Sequence, residues 1–379
     1  TMGCAASTAA EPVSPIDSIE RYTKPESIWA ALASGHVALI RMNWLIKHAK
    51  AAGVLPRRQD LPQDAFFTLK QLKRMYAKNY TESPSRLLPI IAISFCWDTP
   101  AHPDPTGKQL KTVAATLEME KKKYKEYGLY GYSEMAVFWD WLSMHQKDPA
   151  LFDASETPEA KPEGPERAAF IEDLKAKRKF FGGEQYELSR PVEEKESFNV
   201  ALKETMDLWY AHQLTSLYML TKLPEGSQRT TGYDESGWTT YERCSGELIK
   251  KSAHSPWGGS KWQLVLDLGA DDMISPRRWP TDSDGFVQRI ESKKFTNGSD
   301  KDAVAALYRK TITNVLSGVH ELDFRKMTPP TVQDAKELGR CLNLCENLNS
   351  LNLNEVGLND EACAVLFSTL TNEAHLERI

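Results

Sequence analysis

Short continuous apolar runs, separated by segments with helical periodicity, constrain the fold of this chain most. The first run is Leu-Leu-Pro-Ile-Ile-Ala-Ile-Ser at residues 87 to 94, and the second is Met-Ala-Val-Phe-Trp-Asp-Trp-Leu at 135 to 142. Residues 214 to 221 and 262 to 268 are two further candidate strands. A strand of a parallel sheet has such a sequence because helices cover both of its faces. Strands that alternate with helices predict an α/β fold with an open parallel sheet of flavodoxin-like style.

Between the runs, apolar residues recur at helical spacing. One stripe begins near Ser27, continues through Ile40 and Trp44, and ends at Gly53 and Pro56. It predicts one long helix. Further helices are expected at about 65 to 80, 108 to 126 and 198 to 209, from Trp238 onward, and at 304 to 319.

The chain has 379 residues, which is enough for two or three domains. Almost half of the residues between 150 and 196 are charged, and prolines break the segment, so we expect a charged insertion outside the core. The predicted parts are a flexible N-terminus at 1 to 20, a helical region at 21 to 86, an α/β domain at 87 to 318, and repeats at 319 to 379.

Composition excludes several classes of protein. Lys plus Arg total 47 against 52 for Asp plus Glu, a net charge of −5, which argues against a nucleic-acid partner bound by a global basic field. Six cysteines are too few for a disulfide scaffold, and charged residues and proline interrupt the apolar runs, so no spanning helix is predicted. No metal site or cofactor is predicted, because His102, Asp98 and Asp104 are weak evidence for a metal and no phosphate-binding glycine motif occurs. We therefore expect a cytoplasmic protein.

The N-terminal sequence Met-Gly-Cys-Ala-Ala-Ser fits the pattern for N-myristoylation of Gly3, once Thr1 and Met2 are absent. A single acyl chain binds a membrane only weakly, and palmitoylation of Cys4 would make the attachment durable. We expect association with a membrane surface through these lipids. The alternative is an unstructured N-terminus rich in small residues.

Leucines near the C-terminus repeat with a period near 28 residues. Leu348, Leu351 and Leu353 follow Val319, Leu322 and Phe324 at this spacing. The pattern resembles leucine-rich repeats of the ribonuclease-inhibitor type, which have one strand and one helix per unit and bind protein partners. Two repeats do not bury a continuous core alone, so they either cap the α/β domain or belong to a longer solenoid.

In an open α/β sheet, ligands bind beyond the carboxyl ends of the strands. Polar and aromatic residues follow the first predicted strand and stand near the end of the second. The third predicted strand is followed by a loop and then by a helix that begins near Trp238. The candidate site residues are Phe95, Trp97, Asp98, Asp140, Trp238 and Glu242.

Four sequence motifs resemble, in order, those of the fungal heterokaryon-incompatibility (HET) domain. They are Ile-Ala-Ile-Ser-Phe-Cys-Trp at 91 to 97, Val-Phe-Trp-Asp-Trp-Leu-Ser-Met-His-Gln at 137 to 146, Met-Asp-Leu-Trp-Tyr-Ala-His at 206 to 212, and Trp238 with Glu242. The order also resembles the Toll and interleukin receptor (TIR) fold. There, a Trp-x-x-x-Glu pattern opens a helix, and the Glu is catalytic in NAD-cleaving members. His145 departs from the HET pattern, which usually has Asn at this position.

The resemblance implies that Glu242 is the catalytic residue and that NAD is a substrate rather than a cofactor. Trp97 is expected to stack on nicotinamide or adenine, and Asp98 to bond a ribose hydroxyl. On the first turn of its helix, Glu242 would be ionised and would stabilise an oxocarbenium-like transition state. The alternative reading makes Glu242 a surface acid, Asp140 a cap and Trp238 a core anchor.

Two functions follow from this sequence. The first is a membrane-tethered signalling protein whose TIR- or HET-like domain cleaves the nicotinamide–ribose bond of NAD. The second is a non-catalytic interaction scaffold that uses the α/β domain and the leucine-rich repeats. Many TIR-like domains assemble with one another, so a homo-oligomer is expected in either case.

Overall fold

A computed structural model describes residues 20–80, 87–127, 134–250, 264–295 and 300–371. The candidate acylation sites Gly3 and Cys4 lie outside these ranges, and their modification stays a prediction. Within the described ranges, no helix is long and apolar enough to cross a membrane.

Five strands form one open mixed sheet, and two more form a separate small sheet. In the large sheet the order is β1-β3-β2-β4-β5, with β1 antiparallel to β3 and the other neighbours parallel. The α/β class is therefore confirmed, whereas the expected all-parallel sheet is wrong at its edge. The strands are β1 (Ile40–Arg41), β2 (Ile90–Ser94), β3 (Ala136–Phe138), β4 (Ser216–Met219), β5 (Val265–Asp267), β6 (Glu321–Asp323) and β7 (Ser350–Asn352).

Helices flank the sheet, and loops and short helical turns connect them. A π-helical segment, Ala201–Thr205, joins two of them. The α-helices are α1 (Pro25–Ala33), α2 (Met42–Lys50), α3 (Leu69–Tyr80), α4 (Lys108–Tyr127), α5 (Asp140–Ser143), α6 (Pro165–Lys175), α7 (Glu184–Leu188), α8 (Val192–Val200), α9 (Met206–Ala211), α10 (Gly237–Gly246), α11 (Ser283–Glu291), α12 (Asp300–Ser317), α13 (Val332–Leu342) and α14 (Asp360–Thr369).

The single long helix predicted from Ser27 to Gly53 is wrong. The structure has two helices with the edge strand β1 between them. The first helix ends at Ala33, and Gly35 follows with φ +76°, a left-handed conformation that glycine adopts without a steric penalty. The chain then pairs Ile40 with Val137. The buried apolar residues between Ser27 and Gly53 therefore belong to two helices, to the strand and to the segment that leads into the strand.

The second apolar run is also only partly a strand. Strand β3 ends at Phe138, and α5 begins at Asp140, so Trp141 and the leucine after it lie in a helical turn. The Asp140 carboxylate accepts a hydrogen bond of 2.6 Å from the Trp141 backbone N–H, and Ser143 Oγ accepts one of 3.1 Å from the Trp139 N–H. A strand and a short helix that are both fully buried have the same continuous apolar sequence, so the hydrophobic pattern alone does not distinguish them.

Both faces of the large sheet are buried, as the apolar runs predicted. On β2, Ile90 and Ala92 pack into one hydrophobic cluster, while Ile91 and Ile93 pack into the other. The first cluster is one connected set of buried side chains, which includes residues from Tyr22 near the start of the described chain to Leu366 near its end. The α/β part and the C-terminal strand–helix units therefore share one core.

The order of the four parallel strands, β3-β2-β4-β5, reverses between β2 and β4. The chain runs from β2 to β3 on one side and then returns to the other side of β2 to form β4. In open α/β sheets, a crevice forms at the carboxyl ends of the strands where the order reverses. Ser94, the last residue of β2, pairs with Met219 at this end.

Two strand–helix units form the C-terminal part of the described chain. Leu322 of β6 pairs in parallel with Leu351 of β7, 29 residues later, and a helix follows each strand. Thr331 and Asn359 cap these helices by accepting hydrogen bonds from backbone N–H groups in the first turn. This spacing is the one that the leucine pattern indicated. Leu376 and Ile379, which follow Leu348 and Leu351 by 28 residues in the sequence, lie outside the described residues.

Candidate functional site

A hydrogen-bonded group of side chains lies at the point where the strand order reverses. Ser94 Oγ donates to Glu242 Oε2 at 2.5 Å, and the Tyr233 hydroxyl lies 2.5 Å from the same Oγ. Because the Ser94 proton is committed to Glu242, the Tyr233 hydroxyl donates to Ser94. Tyr210, from α9, forms a further hydrogen bond with Glu242 and lies 3.3 Å from the Ile93 carbonyl oxygen.

Glu242 lies in the second turn of α10 and is 6% exposed. The sequence-based expectation placed it on the first turn as an ionised group, and the structure corrects both points. Burial raises the pKa of its carboxyl well above the usual range, and the nearby Asp140 raises it further, against the hydrogen bonds from Ser94 and Tyr210. Burial therefore favours the protonated form of Glu242 over the ionised form.

A cavity of about 290 Å³ opens beside this group. Helices, loops after β2 and β3, and the charged insertion contribute its walls, most of which are apolar. Its lining includes Phe95, Cys96, Trp97, Asp140, Met144, Gln146, Lys147, Phe181, Tyr186, Arg190, Phe198, Leu202, Met206, Arg229, Ser236, Trp238, Thr239, Glu242, Lys294, Phe295 and Asp300. Five of the six predicted site residues are among them.

Asp140 and Trp97 form a second polar pair in the cavity wall. Trp97 Nε1 donates to Asp140 Oδ2 at 3.0 Å, which fixes the indole ring, and Trp141 packs edge-on against that ring at 5.2 Å. Burial raises the pKa of the Asp140 carboxyl to about 6, while the bond from Trp97 lowers it. Asp140 is therefore mostly ionised at neutral pH. Burial thus favours the protonated form more strongly at Glu242 than at Asp140.

The predicted residues Phe95 and Trp238 also line the cavity. Phe95 is buried and packs edge-on against Trp139 at 5.3 Å. Trp238 is half-buried, and its Nε1 donates to Asp300 Oδ2 at 2.9 Å. Since Trp238 is the second residue of α10, which carries Glu242, this bond connects the first turn of α10 to α12.

Asp98 is the predicted site residue that the cavity does not include. Its Oδ1 accepts hydrogen bonds from the Ser227 hydroxyl and from the backbone N–H groups of Gln228, at 3.0 Å, and Arg229, at 3.4 Å. Asp98 therefore holds the loop after β4 in place. In that loop, Arg229 donates to the carbonyl oxygen of Trp97 at 3.1 Å, so Asp98 supports the cavity indirectly.

The structure assigns structural roles to the other polar residues near β2. Burial raises the pKa of the Cys96 thiol, so the thiolate needed for a nucleophile is disfavoured. His102 Nδ1 accepts from the Asp104 N–H at 3.0 Å, and Nε2 therefore donates to the Leu55 carbonyl oxygen at 3.0 Å. Both ring nitrogens are thus engaged. Among the residues described here, no cluster of three metal-ligating side chains occurs.

Sequence reasoning missed Ser94, which binds Glu242 beside the cavity, and several residues of the cavity lining. Ser94 carried a signal, because a hydroxyl in a wholly buried strand needs a partner. The insertion carried none: Phe181, Tyr186 and Arg190 line the cavity although the segment was expected to lie away from the core. The π-helical segment also contributes, through Leu202, and such segments are frequent at functional sites.

Searches of protein-family models, of curated proteins and of solved structures find no match to this chain.

Proposed function

We propose that this chain is a TIR- or HET-like protein whose cavity cleaves the N-glycosidic bond of a nucleotide, with NAD as the first candidate substrate. The single observation that carries the proposal is the position of Glu242. Its carboxyl group is bound by Ser94 at the carboxyl end of β2 and lines a cavity where the strand order reverses. Counted along the chain, the parallel strands have the order 2-1-3-4, which supports a flavodoxin-like sheet.

The two carboxyl groups supply complementary chemistry. Cleavage of a nicotinamide–ribose bond develops positive charge on the ribose as the bond from C1′ to the ring nitrogen breaks. Asp140, mostly ionised at neutral pH, stabilises that charge, and Trp97 holds Asp140 in position at 3.0 Å. Water then forms the new bond to C1′ and releases a proton, so that nicotinamide and ADP-ribose are the products.

Glu242 responds to the charge of the ligand. NAD carries a positive charge on its pyridinium ring, and a cation nearby favours the ionised form of a carboxyl group. Binding of NAD therefore lowers the pKa of Glu242 from its raised value and favours its carboxylate form. The resulting carboxylate, held by Ser94 and Tyr210, adds a second negative charge beside the ribose.

The charge on the leaving group offers a test. NADH has the same shape and phosphates as NAD, but its dihydronicotinamide ring is neutral and is a poor leaving group. Wild-type protein is incubated with each dinucleotide over a range of protein concentrations, and free base is measured by chromatography. We expect nicotinamide from NAD and no release from NADH. Intact NAD at every protein concentration would contradict the proposal.

A non-catalytic interaction scaffold is the second candidate. One observation favours it: Glu242 is almost fully buried and already bonded, as in a polar cluster that only stabilises a core. In that case the strand–helix units would act as leucine-rich repeats that bind a protein partner, and lipids on Gly3 and Cys4 would place the scaffold on a membrane. Partner capture that survives Glu242→Gln, without nicotinamide release, would favour this function.

A further inference from the structure

Basic residues outnumber acidic residues in the lining of the cavity. Four basic residues line it: Lys147, Arg190, Arg229 and Lys294. Of the three acidic residues in the lining, Asp140, Glu242 and Asp300, each has a pKa raised by burial. A cavity with this balance at neutral pH favours a ligand that carries negative charge.

Arg190 is the basic residue whose arrangement fits an anion best. The side chain is 8% exposed and its guanidinium lies over the ring of Phe198 at 4.1 Å. Nη1 donates to the carbonyl oxygen of His145 at 3.1 Å, while the buried Nε has no hydrogen-bond partner. In the described part of the chain, no carboxylate forms an ion pair with Arg190. Burial lowers the pKa of Arg190, while Glu187 and Glu194 raise it through space without forming an ion pair with it. A buried guanidinium that no carboxylate binds directly gains most from a bound anion.

The other basic residues are already engaged or are near the surface. Lys147 pairs with Glu187, which also binds Lys195 at 2.8 Å. Arg229 donates to neutral oxygens, including Ser236 Oγ at 2.6 Å. Lys294 is exposed at the edge of the cavity. Arg190 is therefore the principal candidate for a buried anion contact.

We infer that the charged insertion supplies a phosphate-binding subsite to the cavity, with Arg190 as the residue that binds a phosphate group of the nucleotide. The guanidinium offers two N–H donors in one plane, which match two phosphate oxygens. This inference rests on the proposed function for the identity of the ligand as a nucleotide. It gives a role to a charged segment that lines the cavity with Phe181 and Tyr186 as well as Arg190.

Binding of ADP tests the subsite without requiring any cleavage. Isothermal titration is performed with wild type, Arg190→Met and Arg178→Met, and adenosine is used beside ADP because it has the same base and ribose but no phosphate. Arg178 belongs to the same insertion but is exposed and pairs with Asp173, so its variant removes an equal charge outside the cavity. We expect ADP to bind wild type and Arg178→Met alike, and Arg190→Met at least about tenfold more weakly.

Folding is checked by thermal unfolding, and Arg190→Lys, which keeps the charge, is expected to retain part of the ADP affinity. An ADP affinity that is equal in wild type and Arg190→Met would overturn the inference, as would the absence of ADP binding to wild type at millimolar concentration. ADP binding that depends on Arg190, in a protein that leaves NAD intact, would support the subsite while rejecting the proposed cleavage.

Discussion

Ser94 Oγ lies 2.5 Å from Glu242 Oε2, which joins the end of a central strand to a helix 148 residues later in the chain. The bond places a carboxyl group in the cavity wall with its oxygen fixed by a hydroxyl whose own position is set by Tyr233. Strand β2 is paired on both sides, with β3 and with β4. Because Ser94 lies on this strand, the carboxyl group that it binds is held in a fixed position relative to the sheet. A site built on a strand end is more precise than one built on a loop.

Ser94→Ala is expected to lower the free energy of unfolding by about 1 to 3 kcal/mol, because it leaves the Tyr233 hydroxyl without its buried partner and removes one of the hydrogen bonds to Glu242. It also removes a hydrogen bond that lowers the pKa of Glu242, so that pKa rises further. Urea denaturation measures the stability. A variant as stable as wild type would show that the Ser94 bonds contribute nothing to folding.

Thr281→Val is the matched control for the loss of a buried hydroxyl. Thr281 is as buried as Ser94, but its Oγ1 has no hydrogen-bond partner. Replacement by a methyl group of similar shape is expected to leave stability unchanged or to raise it by about 1 kcal/mol. A loss comparable to that of Ser94→Ala would mean that Thr281 has a partner after all.

The pH dependence of kcat/KM should include an inflection from Asp140, separate from the one that Glu242 contributes. The pKa of Asp140 is raised to about 6, so the ionised form that the mechanism needs is gained as the pH rises through about 6 and lost below it. Trp97→Phe removes the hydrogen bond that lowers this pKa, and the inflection in kcat/KM should therefore move to higher pH. Trp44→Phe, at a tryptophan that stacks on His48 away from the cavity, should leave the profile unchanged. An inflection that stays in place in Trp97→Phe would remove Asp140 from the mechanism.

One hydrophobic cluster runs from Tyr22 to Leu366, so the described chain should unfold in a single transition. Leu351→Ala, in β7, is expected to lower the free energy of unfolding by about 2 to 5 kcal/mol, because it opens a cavity in that shared core. Circular dichroism and tryptophan fluorescence should report the same lowered midpoint. Two separate transitions, of which only one responds to Leu351→Ala, would show that the C-terminal units fold independently.

Local patterns in the sequence predicted the elements well where burial and periodicity agree. The run at 87 to 94 contains β2, and the leucine spacing anticipates the pairing of Leu322 with Leu351. The same patterns mislead where one residue changes the backbone. Gly35, with its positive φ, follows the end of a helix at a point where the apolar stripe predicted that the helix continues. Asp140 begins a helical turn within an apolar run that predicted a strand.

Long-range features of the site could not be predicted in this way. The sequence identified Glu242 and Trp97, but the raised pKa of Glu242 depends on burial by residues distant in the chain. Charge composition placed Arg190 in solvent, whereas the fold packs it over Phe198 and beside the cavity. Such contacts follow from the three-dimensional arrangement and have no local signature in the sequence.

The rate of nicotinamide release by Glu242→Gln is the most direct test of the central claim. Gln keeps the shape of Glu242 and its bond from Ser94 but cannot carry a negative charge, so we expect kcat to fall at least about 100-fold with little change in the melting temperature. Glu193→Gln, at an exposed position of the insertion, is the matched control and should retain the wild-type rate. Equal rates in wild type and Glu242→Gln would contradict the assignment of Glu242 to the reaction.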